Sequence, residues 1–453
     1  MPTDRPTIAH VLHRLYLAGA EVLAAALARE LRDRFNFVFL CLDEIGPLGR
    51  QLADEGFKVV DLKRKPGVDL SVARRIREVV RRENIQLLHA HQYTPFFYAS
   101  ISRGMWGMLR ARPRVLFTEH GRHYPDIRKR KRILANKLLL RGGDRVTAVG
   151  KFVRQALISN EGIRGDRIEV VYNGIDETQF AADPTGQVRA AVRSELNIGE
   201  KQTVVMQVAR FHPVKDHETG IRGFAAALQL AAEAPSRQGG ASAAPPADQA
   251  PPYRDGAPAT SVRLAAEAPS RQGGASAASP ADQAPPYRDG APAMPLLLLI
   301  GDGERKTACE KLAMDLNIAD HVRFLGVRSD VPRLMQAADV FMLSSLSEGI
   351  SVTLLEAMGA GIPIATTNVG GNAEVVAAGE SGLLSPRGDA EALGRNLATL
   401  IADRALRARM GQAGTQRLIQ TFTQRQMHER YAAIYDEILR GGASSNVPKA
   451  SSV

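Results

Sequence analysis

The chain has 453 residues, enough for two domains with separate cores, and no apolar run reaches the roughly 18 residues that a membrane span needs. Its 44% hydrophobic and 24% charged residues are the composition of a soluble globular protein. A formal net charge of +11 asks for an anionic partner. With no recognition module and few aromatics for base stacking, nucleic acid is set aside in favour of phosphate-bearing substrates or anionic lipid headgroups.

The first part of the chain alternates strand and helix. Residues 7–13 predict a strand, 20–32 a helix, and 37–42 a second strand ending near Asp43. Val72, Ile76, Val79 and Val80 follow helical spacing with arginines between them. Residues 85–89, 115–118, 144–149 and 168–172 read as further strands. After a break near 173–187, a second series begins at 203–209 and continues at 296–300, 322–325, 339–343, 363–366 and 382–384. Repeated units of this kind favour parallel sheets with helices on both faces. The expected fold class is α/β, with two Rossmann-like parallel-sheet domains facing a central cleft. The expected division is 1–178 for an acceptor-binding domain and 179–420 for a donor-binding domain. Ligands of open parallel sheets bind outside the C-terminal strand ends, which here means in the cleft.

One stretch fits neither series. Residues 230–259 recur almost letter for letter as 264–293, with Pro245 against Ser279. The repeat is rich in Ala, Pro, Gly, Ser and Gln and has no hydrophobic face for stacking, so it reads as a duplicated disordered insert. Residues 441–453 read as a disordered tail. The two cysteines, Cys41 and Cys309, fall in a predicted strand and a predicted helix and read as buried free thiols of a reducing compartment. Asp4, Arg5, His10 and Arg14 interrupt any leader-like apolar stretch, so the expected location is the cytoplasm.

The chemistry gathers around a pair of carboxylates. Glu348 and Glu356 stand eight positions apart. Glu348 follows an apolar run and reads as a strand end. Glu356, among Leu354, Leu355, Ala357 and Met358, reads as lying on a buried helix. A carboxylate there is costly unless compensated, and a polyhydroxyl ligand would compensate it. Arg210 follows the strand at 203–209, and Lys215 comes soon after. Two cations beside a helix start suit a diphosphate, and the backbone amides of Gly349, Ile350 and Ser351 would add donors. Stabilising a departing diphosphate in this way needs no metal. His89 and His91 share a strand face, with His120 and His123 on a nearby loop. Histidines so placed are more often hydrogen-bonded cleft residues than metal ligands, and no metal site is assigned. A nicotinamide site is excluded because no G-x-G-x-x-G follows the first strand. Arg128, Lys129, Arg130, Lys131 and Arg132 form the densest charge run, followed by Ile133, Leu134, Leu138 and Leu139 on an apparent amphipathic helix. Either this is a solvated face, or it attracts an anionic membrane or a lipid diphosphate.

Taken together, Arg210 and Lys215, Gly301-Asp302-Gly303, Phe324-Leu325-Gly326, Glu348-Gly349 with Glu356-Ala357-Met358, Gly361 and Pro363, and Gly370-Gly371 with Glu374 resemble the C-terminal domain of glycosyltransferase family 4. The N-terminal half agrees through Gly19-Ala20-Glu21, His89-Ala90-His91, Thr118-Glu119-His120-Gly121 and Asn173-Gly174-Ile175-Asp176. The resemblance spans about residues 7–440 outside the insert. It implies the GT-B fold and retaining transfer of a sugar from a nucleoside-diphosphate sugar to an acceptor hydroxyl, in polysaccharide or glycolipid synthesis. The donor is then a substrate, and no cofactor is implied. The partners implied are the nucleotide-sugar donor and a glycan or lipid-linked acceptor, with peripheral contact at the inner membrane face.

By the same resemblance, Arg210 and Lys215 contact the donor diphosphate, Glu348 the donor sugar and Glu356 the ribose hydroxyls. The backbone around Leu325 flanks the base, His120 reaches toward the transferred sugar, and Gly19 admits the donor phosphate. A helix at 424–439 returns to the first domain, so that 421–440 forms its own segment. Three departures from the family pattern stand out. Ala18 precedes Gly19 where two glycines are common, Asp216 follows Lys215 where Gly is common, and Ile350-Ser351 replaces the commoner Phe-Gly. Two alternatives remain open at the level of sequence: a sugar-nucleotide epimerase of the same fold, and a non-catalytic scaffold in a polysaccharide-assembly complex.

Overall fold

A computed structural model describes residues 5–16, 19–104, 113–121, 128, 130–233 and 294–440. Most of the duplicated insert, the tail after 440, Ala18, His123 and Lys129 lie outside the described residues. Residues 230–233 belong to a helix, so the helix runs slightly past the start of the repeat.

The first sheet contains β1 (Thr7–Arg14), β2 (Asn36–Glu44), β3 (Lys58–Asp61), β4 (Ile85–His91), β5 (Arg114–Glu119), β6 (Arg145–Ala148) and β7 (Ile168–Val170). Its strands are all parallel, in the order β3-β2-β1-β4-β5-β6-β7. The second contains β8 (Val204–Val208), β9 (Leu296–Ile300), β10 (Val322–Gly326), β11 (Val340–Leu343), β12 (Ile364–Thr367) and β13 (Gly382–Ser385), again parallel, in the order β10-β9-β8-β11-β12-β13. Both orders step outward from the first strand and then reverse to the other side of it. This leaves a crevice between β1 and β4 and another between β8 and β11, where doubly wound sheets take ligands.

The strands form where the sequence supplies apolar runs. β9 is Leu-Leu-Leu-Leu-Ile with every residue buried, as a strand covered by helices on both faces requires. β3, which the apolar pattern does not predict, is a four-residue edge strand with no buried residue. The helices that shape the cleft are α1 (Gly19–Glu30), α2 (Arg130–Leu139), α3 (Lys151–Glu161), α4 (His217–Glu233), α5 (Val352–Gly359) and α6 (Gln424–Leu439). Cys41 on β2 and Cys309 are buried free thiols.

The two sheets lie in one compact unit. The chain crosses between them twice, side by side. Ile175 N donates to Phe422 O at 3.1 Å, and Gln424 N donates to Ile175 O at 2.7 Å. Thr423 then starts α6 with a capping box formed with Gln426. α6 packs on the first sheet through Met427, Tyr431, Ile434, Tyr435 and Ile438, beside Ile8, Leu12 and Phe37. Arg114 also donates to Ile438 O at 2.7 Å, which ties the last turn of α6 to β5.

Candidate active site

The second sheet opens its crevice between the ends of β8 and β11, and that is where two of the sequence-predicted groups, Lys215 and Glu348, meet. Beyond β8 the chain makes a short turn, Pro213–Lys215, whose start is capped by the His212 ring accepting from Val214 N. Lys215 Nζ donates to Glu348 Oε1 at 2.6 Å, and Ser345 Oγ donates to the same oxygen at 2.6 Å. Glu348 is only 9% exposed at its side chain and Lys215 22%, so this ion pair is held largely out of water. Asp216 takes the left-handed conformation, with φ 44° and ψ 52°. Aspartate is among the few side chains that tolerate it, and here its Oδ1 also accepts from Thr219 N in the first turn of α4. The departure from glycine at this position therefore keeps the turn.

Glu348 is not at a strand end. β11 stops at Leu343 and the next residues form a loop pinned to the Lys215 turn. Ser344 Oγ donates to Asp216 O at 2.7 Å, and Leu346 N donates to Val214 O at 2.8 Å. These bonds replace strand pairing and aim Glu348 at Lys215.

α5 starts after Ser351, whose side chain makes no capping bond to the helix. Glu356 lies in its second turn among buried Leu354, Leu355, Ala357 and Met358, and is itself half-buried. Burial pushes its carboxyl up to about 8. It lines a cavity of about 790 Å³ together with Leu23, Ala26, Ile175, Val352, Arg425 and His428, among others. Ile350 is buried and packs inward. A Cβ at Gly150 would sit 3.0 Å from its Cδ1, and one at Gly371 would sit 2.7 Å from it. Its side chain is thus committed to packing, and Ser351 beside it is buried with its hydroxyl 3.1 Å from Thr353 Oγ1. Leu325 sits near the C-terminal end of edge strand β10, and Gly326 O there accepts from Gly301 N at 2.8 Å.

Across the cleft, the start of α1 approaches α5. A Cβ added at Gly19 would meet nothing nearer than Val352 at 3.8 Å, so the protein itself leaves room there. Glu21, in the first turn of α1, is raised by burial and held down by the charges of Arg210 and Arg14. The exposed Arg210 thus lies within electrostatic reach of Glu21 in the first domain. The loops after β5 and β11 touch backbone to backbone. A Cβ at Gly349 would lie 2.3 Å from His120 O, and one at Gly121 would lie 2.9 Å from Gly349 Cα. Only glycine allows this approach.

His120, half-buried, follows β5 and ends a row of buried histidines. His120 Nε2 lies 2.8 Å from His91 Nδ1, and His91 Nε2 lies 2.8 Å from His10 Nδ1. His89 is bonded on both ring nitrogens, to Tyr435 OH and to Thr118 Oγ1, each at 2.7 Å. Ring nitrogens of His10, His89 and His91 come within 4.8 Å of one another, a spacing that could hold a cation, but the bonds just named already engage most of them. Burial lowers His120 to about 4 and His10 to about 3, and holds His89 and His91 well below the usual imidazole value.

Glu374 is a cleft residue whose contacts the sequence did not disclose. Its two carboxylate oxygens accept from Lys151 N and Phe152 N at 2.7 Å each, at the start of α3 in the other domain, and Tyr172 OH donates to it at 3.0 Å. Burial and the Glu374 carboxylate push the Tyr172 phenol up. Asn173 Nδ2 adds a further bridge to Ile350 O at 3.2 Å. No local pattern marks these pairs, since their partners are about two hundred positions apart in the chain.

The basic run divides. Arg128, Arg130 and Lys131 are exposed. Arg132 is committed internally: its guanidinium pairs with the buried Glu161 at 2.8 Å and lies 4.1 Å from the centroid of the Tyr93 ring. The amphipathic pattern of α2 is also different from the expected one. Its only buried residue is Asn136, bonded to Glu161, while Leu134 and Leu138 point outward at 63% and 74% exposure.

A sequence model described as Glycosyltransferase Family 4 matches residues 17–179, and one described as Glycosyl transferases group 1 matches residues 294–417. The chain belongs to glycosyltransferase family 4. The N-acetyl-alpha-D-glucosaminyl L-malate synthase of Bacillus anthracis is 25% identical over 387 residues, covering 84% of this chain and 82% of that protein. The lipopolysaccharide core biosynthesis glycosyltransferase LpsE of Rhizobium meliloti is 35% identical over 135 residues, 30% of this chain and 40% of the relative. Among solved structures, a glycosyltransferase from Rickettsia africae superposes with TM-score 0.73 at 17% identity, covering 97% of this chain and 100% of that one. Anabaena Alr3699/HepE, crystallised with UDP and glucose, superposes with TM-score 0.71 at 18% identity, covering 96% and 100%. The fold of this family 4 glycosyltransferase is therefore GT-B, with the crevices of its two sheets facing each other.

Proposed function

We propose that this glycosyltransferase moves a sugar from a nucleoside-diphosphate sugar to an acceptor hydroxyl with retention of anomeric configuration, in polysaccharide or glycolipid synthesis. The observation that carries this reading is the Lys215–Glu348–Ser345 cluster at the crevice of the second sheet, directly before α5. Arg210 and Lys215 take the diphosphate, with the amides of Gly349, Ile350 and Ser351 as further donors. Glu348 holds the donor sugar, Glu356 accepts from the ribose hydroxyls, and the backbone at Leu325 flanks the base. Gly19 admits the phosphates, and His120 faces the transferred sugar. As the bond from the anomeric carbon to the diphosphate oxygen breaks, its electron pair leaves on the diphosphate, against the two cations. The acceptor oxygen bonds to the anomeric carbon from the same face, and its proton passes to the departing phosphate. No protein nucleophile and no metal enter this scheme.

The exposed Leu134 and Leu138, with Arg130, Lys131 and Lys137 beside them on α2, fit an anionic lipid surface that presents the acceptor. Relatives named for lipopolysaccharide synthesis support this assignment, and the UDP complex of Alr3699/HepE makes UDP-sugars the first donors to try. The test is nucleotide release from a panel of UDP-, GDP- and ADP-sugars, with and without membrane extract. Extract-dependent release from one donor, lost in Lys215→Ala, is expected. Release from no member of the panel overturns the reading.

A further inference from the structure

The buried row His120, His91, His10 has a consequence for the protonation of its cleft end. A neutral imidazole carries one N–H and one bare nitrogen. Each of the two contacts in the row needs one N–H pointing along it. His91 has only one to give, so both bonds must run in the same direction. Two of the three protons are thereby used, and the last sits at one end of the row: on His10 Nε2 or on His120 Nδ1. Both of these atoms are buried and, among the described residues, without a hydrogen-bond partner.

The two ends differ. His10 stands fully buried on β1 against Phe37 and Phe39. Its ring lies 19° from parallel with each, with centroids 5.4 Å apart, so an in-plane N–H is not directed at either aromatic face. A proton on Nε2 would be an orphaned buried donor, the rarest kind of unsatisfied group, whereas a bare nitrogen there costs less. His120, by contrast, lies on the cleft loop whose carbonyl abuts Gly349, next to Glu348. His120 as a whole is only half-buried, whereas His10 is fully buried, so a small movement of the His120 ring brings a donor at its covered Nδ1 to a ligand oxygen in the cleft.

We propose that His10 and His91 are positioning residues that fix His120 as the tautomer protonated on Nδ1, so that it offers a hydrogen-bond donor to an oxygen of the bound donor sugar. The apolar pocket of His10 sets the direction of the row, and His91 transmits it from β1 through β4 to the loop after β5. The low proton affinity that burial gives to all three rings keeps the row neutral and so keeps the proton count intact. Both the direction of the row and the role of the Nδ1–H at the sugar rest on the proposed placement of His120 in the cleft.

The test uses full-length protein labelled with 15N-histidine, with the His120 signals assigned through His120→Gln. In the wild type, His120 is expected to carry its proton on Nδ1 and His10 on Nδ1. A His120 protonated on Nε2 overturns the proposal without recourse to any variant. In His10→Phe, which keeps the aromatic stack, His120 is expected to populate both tautomers, and kcat/KM for nucleotide release should fall about tenfold, as for one misdirected hydrogen bond. An unchanged His120 tautomer in that variant also overturns it. Full activity in His120→Gln, with the wild-type tautomer as expected, would remove the sugar contact while leaving the direction of the row intact.

Discussion

Replacing Glu356 by glutamine removes one ionisable group from the cleft and keeps its shape and hydrogen bonding. In the folded protein without ligand, burial raises its carboxyl from 4.5 to about 8. Below the unfolded value the group is neutral in both states and costs nothing. As pH rises above that value the unfolded chain ionises and the folded one does not, so stability falls until pH passes about 8. Each unit of difference is worth about 1.4 kcal/mol, which sets an upper bound of roughly 5 kcal/mol across the window. Glu356 lines an open cavity, so solvent screening keeps the measured figure below that bound. The assay is urea unfolding of both proteins from pH 5 to 9 without nucleotide. The wild type should lose stability relative to Glu356→Gln as pH rises, with the gap closing again when a saturating donor is added. A carboxylate accepting two ribose hydroxyls is favoured by the ligand, so donor binding should release a proton near pH 7 in the wild type and none in the variant. A stability difference independent of pH, together with equal proton release, would refute the reasoning.

Lys215→Ala removes the partner of a carboxylate that is 9% exposed, so it should lower stability by about 1–3 kcal/mol as well as weakening donor binding about 10- to 100-fold, read by thermal melts and titration calorimetry. Gly349→Ala would place a methyl 2.3 Å from His120 O, and the loops would separate to accommodate it. Its kcat/KM should fall about 100-fold while circular dichroism stays unchanged. Exchanging Leu134 and Leu138 for glutamine should abolish co-sedimentation with vesicles containing anionic lipid and leave nucleotide binding unaltered. Treatment with a strong chelator should leave the rate of nucleotide release unchanged.

The apolar runs made both sheets legible, because parallel strands buried on two faces need near-continuous Val, Ile and Leu, and the family resemblance supplied the returning helix. β3 was missed for the opposite reason: four half-buried or exposed edge residues carry no such signature. At the site, the expected strand-end positions of Lys215 and Glu348 put both in one crevice although they are 133 positions apart, but neither spacing nor resemblance disclosed that they pair directly, at 2.6 Å. The loop conformation of Glu348 was not legible, since it depends on Ser344 and Leu346 bonding to the Lys215 turn rather than on any local preference. Arg132 looked like its neighbours in a basic run, and only the fold supplies Glu161 and Tyr93 to hold it. Glu374 stood out only as part of a family motif and His10 not at all, because their partners come from another domain or other strands.

The central claim is that the Lys215–Glu348 crevice is the seat of a nucleoside-diphosphate sugar. Calorimetric titration of the wild type and of Lys215→Ala with UDP-glucose, GDP-mannose and ADP-glucose tests it most directly. Saturable, one-to-one binding of one of these donors, weakened at least tenfold in the variant, is the expected result. Equal affinity of the two proteins for every donor that binds would contradict it.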